Sequence, residues 1–351
     1  MESDTQFVAQ GKYSNHSPLV SVCIITYNHE AYIAQAIESV LSQKTDFPFE
    51  IIIGEDDSSD NTRNIVTRYR EQYPDKIRLL LNSRSNVIYV NGHATGRWNF
   101  IQTLSNSVGK YIAFLEGDDY WTDPLKLQSQ VDFLEANPEY VLCGHRIKVV
   151  DSDGKTTQNQ LDVGKGRDNF TVEDALFWTP MHPNTWVFRN FNLKNHRAYS
   201  FLLKVPAADD LMALMLLEQG RGHRINKSWS AYRQHPGGIW STKPSYHRNF
   251  DVLQFRWVAL QLFPRAGLRK RFGLTVDPSV RLLGRVMLAS LASRNISPIK
   301  SLVLLSIKQN VIPTRELVML YLLGVATFPF YVLRKVTYVA KLKYLKWLCH
   351  S

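Results

Sequence analysis

The sequence predicts an α/β protein built on a doubly wound, mostly parallel sheet, and three observations support that prediction. Short apolar runs alternate with segments of helical spacing through the first third of the chain. Three of those runs end in the polar clusters TYN, EDDSSD and EGDD. Ligands of such sheets bind beyond the carboxyl ends of the strands. We therefore expect the three clusters to meet at one edge of the sheet and form a ligand site.

Each element of the first half follows from its local composition. The β-branched runs LVSVCIITYN, FEIIIGE, KIRLLLN and KYIAFLE are too short for surface helices and predict four buried strands. After the first strand, Ile33, Ile37, Val40 and Leu41 recur at helical spacing and predict a helix. NTRNIVTRYREQYP predicts a second helix, and residues 99–107 predict a third.

The second half is less regular. DSDGK predicts a hairpin turn, and TPMHPNTWVFRN predicts a loop that enters a strand. ADDLMALMLLEQGRG predicts a helix with Asp209 and Asp210 in its first turn and Gly220 near its end. SWSAYRQHPGGIWS predicts a short strand followed by a glycine-rich loop, and the sequence beyond Lys243 is helical in character and basic.

Charge divides the chain into two parts. Residues 1–240 contain 24 Lys and Arg against 28 Asp and Glu, whereas residues 241–351 contain 18 against 3. The basic part predicts an anionic partner, either nucleic acid or an anionic membrane surface. Residues 317–333 carry no charge but are short for a membrane span, and the mixed basic and aromatic residues 334–351 are typical of an interfacial segment. The alternative is a helical subdomain that packs on the core.

Several classes of site are disfavoured by the sequence. Cys23, Cys143 and Cys349 form no CxxC pair, which predicts reduced thiols in the cytosol and no zinc site. Residues 1–17 lack an apolar stretch, which predicts no signal peptide. Neither GxGxxG nor GxxxxGK[ST] occurs, so a nucleotide would have to be held by carboxylates and a metal.

The three carboxylates of EGDDYW, on Glu116, Asp118 and Asp119, have two interpretations. Asp and Gly favour turns, so the cluster could be a solvated turn. Clustered carboxylates also bind Mg²⁺ or Mn²⁺, which would relieve their repulsion and bind a diphosphate. A second acidic cluster ends a neighbouring strand, where Asp56 could accept hydrogen bonds from a base or ribose.

The segments VSVCIITYNHEAYIAQAIESVLSQ, IIIGEDDSSDNT and GKYIAFLEGDDYWTDPLKL together resemble the inverting nucleotide-sugar glycosyltransferases of family 2, which have the GT-A fold. EGDDYW resembles the bacterial members that build surface polysaccharides or lipid-linked glycans. The resemblance implies an N-terminal extension (1–17), a catalytic domain (18–243) and a basic helical C-terminal region (244–351). The catalytic domain would divide into a nucleotide-binding half (about 18–125) and an acceptor half (about 126–243).

The resemblance also implies roles for individual residues. The nucleotide-sugar-binding set comprises Thr26, Tyr27, Asn28, Glu55, Asp56, Glu116, Asp118 and Arg233. Within it, Asp56 would contact the base, usually uracil, and Arg233 would help to neutralise the diphosphate. Mg²⁺ or Mn²⁺ would be bound by Asp118, Asp119 and His235. Weaker assignments near the sugar or acceptor are Trp121, His182 and Trp240.

The implied catalytic base is an acidic residue at the start of a helix in the second half. In the family pattern it lies eleven residues before a glycine, and counting back from Gly220 gives Asp209, with Asp210 as the alternative. Taken without the resemblance, both residues would be explained by the preference of Asp for the first turn of a helix.

The implied activity is inverting, metal-dependent transfer of a sugar from a nucleotide donor, preferentially a UDP-sugar, to a hydroxyl of a glycan or lipid-linked acceptor. The implied location is the cytoplasm, either free or peripheral at the inner face of the cytoplasmic membrane. No nucleic-acid partner is implied. One alternative is a nucleotidyltransferase. Such enzymes usually have a Gly-rich basic loop after the first strand, whereas TYNHEAYI at that place contains neither Gly nor Lys. Another is a non-catalytic nucleotide-sugar or glycan-binding protein. Nucleic-acid binding through the basic region is a third, but it lacks a recognised motif.

Overall fold

The computed structural model describes residues 6–8, 17–157, 168–176 and 181–238, with isolated positions between 248 and 263. The chain divides into two units, residues 1–204 with 208–241 and residues 205–207 with 242–351, and every element named below lies in the first. Most of the predicted basic C-terminal region, including its candidate interfacial segment, and Trp240 lie outside the described residues. Among the described residues, no helix has the length and apolarity needed to cross a membrane.

Strands and helices alternate in the first half, as the sequence predicts. The described strands are β1 (Gln6–Val8), β2 (Val20–Thr26), β3 (Phe49–Glu55), β4 (Ile77–Leu81), β5 (Ile88–Val90), β6 (His93–Thr95), β7 (Tyr111–Glu116), β8 (Tyr120–Trp121), β9 (Tyr140–Val150), β10 (Asn169–Phe170), β11 (Val187–Arg189) and β12 (Arg221–Arg233). The described α-helices are α1 (Ile33–Leu41), α2 (Thr62–Gln72), α3 (Arg97–Ser105), α4 (Lys126–Ala136), α5 (Val172–Ala175), α6 (Tyr199–Leu202) and α7 (Ala208–Leu217). Single 3₁₀ turns occur at Arg84–Asn86, Pro183–Thr185 and Leu193–Asn195.

A ten-stranded sheet organises the first unit, and its parallel part aligns the predicted strand ends. The strand order is β1-β4-β3-β2-β7-β11-β9-β12-β10, and β8 also pairs with β12. Strand β2 lies between β3 and β7, parallel to both, so that Thr26 is opposite Glu55 and Ile25 is opposite Glu116. The three polar clusters therefore begin at the same edge of the sheet, as the sequence predicts.

Burial on both faces explains why the central strands are almost continuously apolar. Every residue of β3 is buried, and β2 is buried except at Ile25. Ile33, Ile37 and Val40 of α1 pack into the same core as these strands, which confirms the predicted helical face. Each such side chain contributes about 1.5–3 kcal/mol when fully buried.

The second half differs from its sequence-based description. SWSAYR, predicted as a short strand, is the end of the 13-residue strand β12, which runs parallel to the 11-residue strand β9. Irregular register shifts interrupt that pairing between Arg221 and Ser230, and they remove the clean alternation by which a strand is recognised in a sequence. DSDGK is a turn, as predicted, and in it the Asp151 carboxylate accepts hydrogen bonds from the amides of Asp153 and Lys155.

A close contact between β3 and α3 provides a first test of the fold. A Cβ atom added to Gly54 would lie 1.8 Å from Oδ1 of Asn99, whose amide donates to the Gly54 carbonyl at 2.8 Å. We expect Gly54→Ala to lower the free energy of unfolding by about 1–3 kcal/mol, the usual cost of overpacking a core. Gly96→Ala is the control, because a Cβ there would meet no atom within 4 Å. Thermal unfolding of the two variants measures the difference, and equal stabilities would contradict this packing.

Candidate active site

Hydrogen bonds join the loops that follow β2 and β3. The Asn28 amide donates to Ser58 Oγ at 2.9 Å, and Asn28 Oδ1 accepts from the Ser59 amide at 2.9 Å. One residue further, the His29 amide donates to Thr62 Oγ1 at 2.8 Å. The side chain of Asn28, predicted to bind the nucleotide, thus connects the two loops, and its φ of 54° is one that Asn tolerates better than most residues.

The adjacent carboxylates Glu55 and Asp56 have different surroundings. Glu55 is fully buried, and its two oxygens accept hydrogen bonds from the Ser58 amide and from Nε of Arg63, so it stabilises the loop. Asp56 accepts from the Arg84 guanidinium at 2.8 Å. Burial raises the pKa of Asp56 to about 6, although the charge and hydrogen bond of Arg84 oppose the shift.

An exposed aromatic ring lies beside Asp56. Tyr27, 37% exposed, stacks against the guanidinium of Arg84, whose central carbon is 4.2 Å from the ring centroid. Thr26, buried at the end of β2, has a hydroxyl without a hydrogen-bond partner in the described part of the chain. A charged pair beside an accessible ring could bind a planar, hydrogen-bonding group such as a nucleobase.

Asp118 and Asp119, adjacent at the end of β7, are directed to different partners. Asp119 is 1% exposed, and its oxygens accept hydrogen bonds from Nδ2 of Asn184 at 2.6 Å and from the Arg233 amide at 2.8 Å. Both oxygens of this predicted metal ligand are thus engaged with the protein. Burial, followed by the charges of Asp118 and Glu116, raises the pKa of Asp119 well above its usual range.

Asp118 lies between two histidines. Its Oδ2 is 3.0 Å from Nε2 of His235 and 3.8 Å from Nε2 of His29. Burial alone would raise the pKa of Asp118, but the His235 hydrogen bond and the charges of both histidines hold it below the usual value. Burial lowers the pKa of His29, although the charge of Asp118 opposes the shift.

Glu116 lies within the electrostatic range of Asp118 and of Asp209, the predicted base. Burial, followed by the charges of Asp118 and Asp209, raises the pKa of Glu116 to about 8. Burial also raises the pKa of Asp209. Hydrogen bonds that its carboxylate accepts from the backbone amides of Asp210 and Asp209, together with the charge of Arg97, oppose this shift. The first turn of α7 therefore brings a partly buried carboxylate within reach of the charge of Glu116 at the end of β7.

The side chains of Arg233 and Trp121 are both hydrogen-bonded to other parts of the protein. Arg233 donates to the carbonyls of Asp118 and Ser152 and to Oε1 of Gln35, at 2.6–2.9 Å. Those bonds connect its guanidinium to three parts of the protein, and its contact with a diphosphate stays a prediction. Trp121 is 4% exposed and donates from Nε1 to the Asn184 carbonyl, and its contact with a sugar stays a prediction.

His182 lies next to the carboxylates, which gives the site a second potential ligand group. Its ligand atom lies within 4.8 Å of those of Glu116 and Asp119, and in the described part of the chain His29, Asp118 and His235 form a second such group. Burial lowers the pKa of His182 to about 4, so this imidazole is neutral at pH 7. Its ring also packs against Tyr232, with centroids 4.5 Å apart.

The side chains around Asp118 fit a divalent cation. Ligand atoms that share an ion at about 2.1 Å lie about 3–4 Å apart, which covers both distances measured from Asp118 Oδ2. Carboxylate and imidazole are both common ligands of Mn²⁺ and related ions. Nδ1 of His29 is buried and has no hydrogen-bond partner among the described residues, so no hydrogen bond to that nitrogen fixes the ring.

Comparison with known proteins places the chain in a family. Residues 21–199 match Glycosyl transferase family 2. The chain belongs to that family. It is also 32% identical over 245 residues to the UDP-Glc:alpha-D-GlcNAc-diphosphoundecaprenol beta-1,3-glucosyltransferase WfgD of Escherichia coli, covering 67% of this chain and 85% of WfgD. The predicted family is therefore confirmed.

Two further relatives define the extent of the similarity. An uncharacterized protein of Mycobacterium tuberculosis is 33% identical over 241 residues, and the match covers 66% of this chain but only 63% of that protein. The S. aureus TarS structure in complex with UDP-GlcNAc has a TM-score of 0.53 at 18% identity, and the match covers 88% of each chain. That likeness confirms the predicted α/β, GT-A fold class.

Three residues of the candidate site in this family 2 chain were not predicted from the sequence. His29, Arg84 and Asn184 belong to the site through Asp118, Asp56 and Asp119 respectively. His29 directly follows the TYN cluster, so its position at a strand end was an available signal. Arg84 and Asn184 lie in 3₁₀ turns far from their partners in sequence, and no local pattern identifies them.

Proposed function

We propose that this protein is an inverting, metal-dependent glycosyltransferase that transfers a sugar from a UDP-sugar to a hydroxyl of a glycan or lipid-linked acceptor in polysaccharide biosynthesis. Membership of family 2 supports the reaction class. The observation that carries the proposal is the alignment of the ends of β2, β3 and β7, which brings the loops of Asp56 and Asp118 to one edge of the sheet. Asp209 lies close enough for its charge to raise the pKa of Glu116 there. The three carboxylates would bind the base, bind the diphosphate and accept the proton.

In the proposed complex, the nucleoside lies at the ends of β2 and β3. Asp56 accepts a hydrogen bond from the base, and the ring of Tyr27 packs beside it. The support is the exposure of Tyr27 and the short contact between Asp56 and Arg84, which orients the carboxylate. Uracil has an N–H donor next to two carbonyl acceptors, which an Asp–Arg pair can match.

The diphosphate is proposed to lie at the end of β7. Asp118 and His235 would bind the cation, and Asp118 is preferred to Asp119 because both Asp119 oxygens accept hydrogen bonds from the protein. When bound, a divalent cation supplies positive charge that stabilises a leaving diphosphate. Glu116 would face the donor beside Asp118, and its charge is favoured when positive charge is nearby.

Asp209 is proposed as the general base. It would accept the proton of the acceptor hydroxyl as that oxygen attacks the anomeric carbon from the face opposite the diphosphate. A single displacement without an enzyme nucleophile inverts the configuration. Burial raises the pKa of Asp209, which makes its carboxylate a stronger proton acceptor than an exposed one, while Arg97 keeps it ionisable.

The acceptor and the cellular location are part of the same proposal. The name of WfgD specifies a diphosphoundecaprenol-linked acceptor and a UDP-glucose donor, which supports a lipid-linked acceptor and a UDP-sugar here. A cytoplasmic enzyme attached peripherally to the inner face of the membrane would reach such an acceptor. We propose residues 18–243 as the catalytic domain and 244–351 as a separate basic region.

A donor screen tests the proposed function. Purified protein is incubated with UDP-, GDP- and dTDP-sugars in Mn²⁺, Mg²⁺ or EDTA, with and without bacterial lipid extract, and released nucleoside diphosphate is measured. We expect metal-dependent release from at least one UDP-sugar, since slow donor hydrolysis often replaces transfer when the acceptor is missing. The absence of release from every donor, with and without lipid, would contradict the proposal.

The raised pKa of Asp56 predicts how donor affinity depends on pH. With a pKa of about 6, Asp56 is mostly protonated at pH 5 and mostly ionised at pH 7. If its carboxylate accepts from the base, UDP-sugar binding should tighten by up to about tenfold over this range. Calorimetric titration with the wild type and Asp56→Asn measures the effect, because the variant should lose this part of the pH dependence. Identical profiles would contradict the role of Asp56.

A further inference from the structure

We propose that His29 is a third protein ligand of the cation, which makes the site a His–Asp–His set that prefers Mn²⁺ and related transition ions to Mg²⁺. The inference rests on the metal dependence proposed above, and it adds a residue and a metal preference to it. His29, Asp118 and His235 come from the ends of β2, β7 and β12, so three separate strands bring them together.

The geometry around Asp118 supports this assignment. The candidate ligand atoms of the three residues all lie within 4.8 Å of one another. The rings of His29 and His235 have centroids 6.2 Å apart and meet nearly at right angles, at 83°, so both can approach Asp118 without stacking on each other. Tyr32 packs against His235 at 4.9 Å and helps to fix its ring.

A simple ion pair between His29 and Asp118 accounts less well for the contacts. The 3.8 Å from His29 Nε2 to Asp118 Oδ2 exceeds hydrogen-bond distance, whereas His235 already makes that bond at 3.0 Å. Nδ1 of His29 is buried without a hydrogen-bond partner in the described residues, as is the nearby Thr26 hydroxyl. Nε2 of His29 thus faces Oδ2 of Asp118 without a hydrogen bond to it, at a separation that two ligands of one cation adopt.

The backbone around the cluster positions the His29 ring. Gly117 separates Glu116 from Asp118, and a Cβ atom added to it would lie 2.8 Å from Thr26 Oγ1 and 3.0 Å from His29 Nδ1. The His29 amide is bonded to Thr62, and this bond does not involve the ring. The main chain therefore holds His29 close to the end of β7, and replacement of the ring leaves that anchor unchanged.

Two imidazoles and one carboxylate are a distinctive ligand set. Mg²⁺ is usually bound by one or two carboxylates with phosphate and water oxygens, whereas imidazole favours first-row transition ions. Asp118 alone would form a site with little preference for Mn²⁺. With His29 and His235 both bound, Mn²⁺ should compete successfully against an excess of Mg²⁺.

The test measures binding of Mn²⁺ alone to the full chain. Free Mn²⁺ is quantified by electron paramagnetic resonance during titration, Mg²⁺ is added as competitor, and spin-echo modulation counts the imidazole nitrogens on bound Mn²⁺. Wild type should show two nitrogens, and His29→Gln should show one, with affinity lowered about tenfold or more. His223→Gln is the matched control, because that imidazole stacks on Phe133 and bonds Asn169 outside the cluster.

The outcomes separate this inference from the proposed function. If His29→Gln keeps both nitrogens and the wild-type affinity while UDP release still requires Mn²⁺, the inference is wrong and the function stands. If wild type binds no Mn²⁺, the metal dependence itself is wrong and the inference fails with it. Thermal unfolding in EDTA verifies that His29→Gln and a second variant, His29→Asn, are folded, and both should lose one nitrogen.

Discussion

Asp209→Asn should lower the rate of sugar transfer by about 10²-fold or more while donor affinity stays within about twofold of wild type. The amide is nearly isosteric with the carboxylate, so the first turn of α7 should keep its shape, but it cannot accept the acceptor proton. Because Asp209 interacts with Glu116 at the end of β7, the loss falls on the chemical step rather than on nucleoside binding. Single-turnover transfer and calorimetric donor titration measure the two quantities.

Asp210→Asn is the matched control for that experiment. Asp210 is adjacent to Asp209 in the same helical turn, and it is the alternative base by sequence. We expect Asp210→Asn to retain transfer within a few-fold of wild type. If Asp210→Asn were inactive and Asp209→Asn nearly normal, the base would be Asp210, one residue from the proposed position.

Asp118→Asn should lower activity and Asp119→Ala should lower stability, although the two residues are adjacent. Asp118→Asn should lower donor turnover by about 10²-fold or more, with unchanged thermal stability, because Asp118 faces His29 and His235. Asp119→Ala should lower the free energy of unfolding by about 2–4 kcal/mol, because it removes acceptors from the Asn184 amide and the Arg233 backbone.

Mn²⁺ binding and chemical unfolding of both variants separate the two effects. Asp118→Asn should lose measurable Mn²⁺ binding at concentrations that saturate wild type. Asp119→Ala should unfold at a lower temperature than wild type, but it should still bind Mn²⁺ at temperatures at which it is folded. The division of roles would be wrong if Asp119→Ala were stable but unable to bind Mn²⁺, or if Asp118→Asn bound it normally.

The site at the edge of the sheet could be predicted from the sequence because short local patterns specify the strands that form it. Apolar runs that end in polar clusters specify β2, β3 and β7, and parallel pairing then brings their ends together. The same reasoning identified the helix that presents Asp209. It did not foresee the long pairing of β9 with β12, because the register shifts in that pair blur the period of two on which strand prediction depends.

Roles within each cluster could not be predicted, because they depend on the direction of individual side chains. Glu55 and Asp56 are adjacent and equally acidic, yet one stabilises a loop and the other lies beside Tyr27. Asp57 has a φ of 62°, a left-handed conformation that turns the chain just beyond them. The position of His29 after a strand end is visible in the sequence, but its proximity to Asp118 and His235 depends on the fold.

The most direct test of the proposed nucleotide-sugar site is a crystal structure with UDP and Mn²⁺, with the cation located by its anomalous scattering at the manganese edge. We expect one strong anomalous peak between Asp118 and His235, within coordination distance of His29, with the uracil beside Asp56 and Tyr27. A peak at another position, or UDP bound away from the ends of β2, β3 and β7, would contradict the proposal that this edge of the sheet is a nucleotide-sugar site.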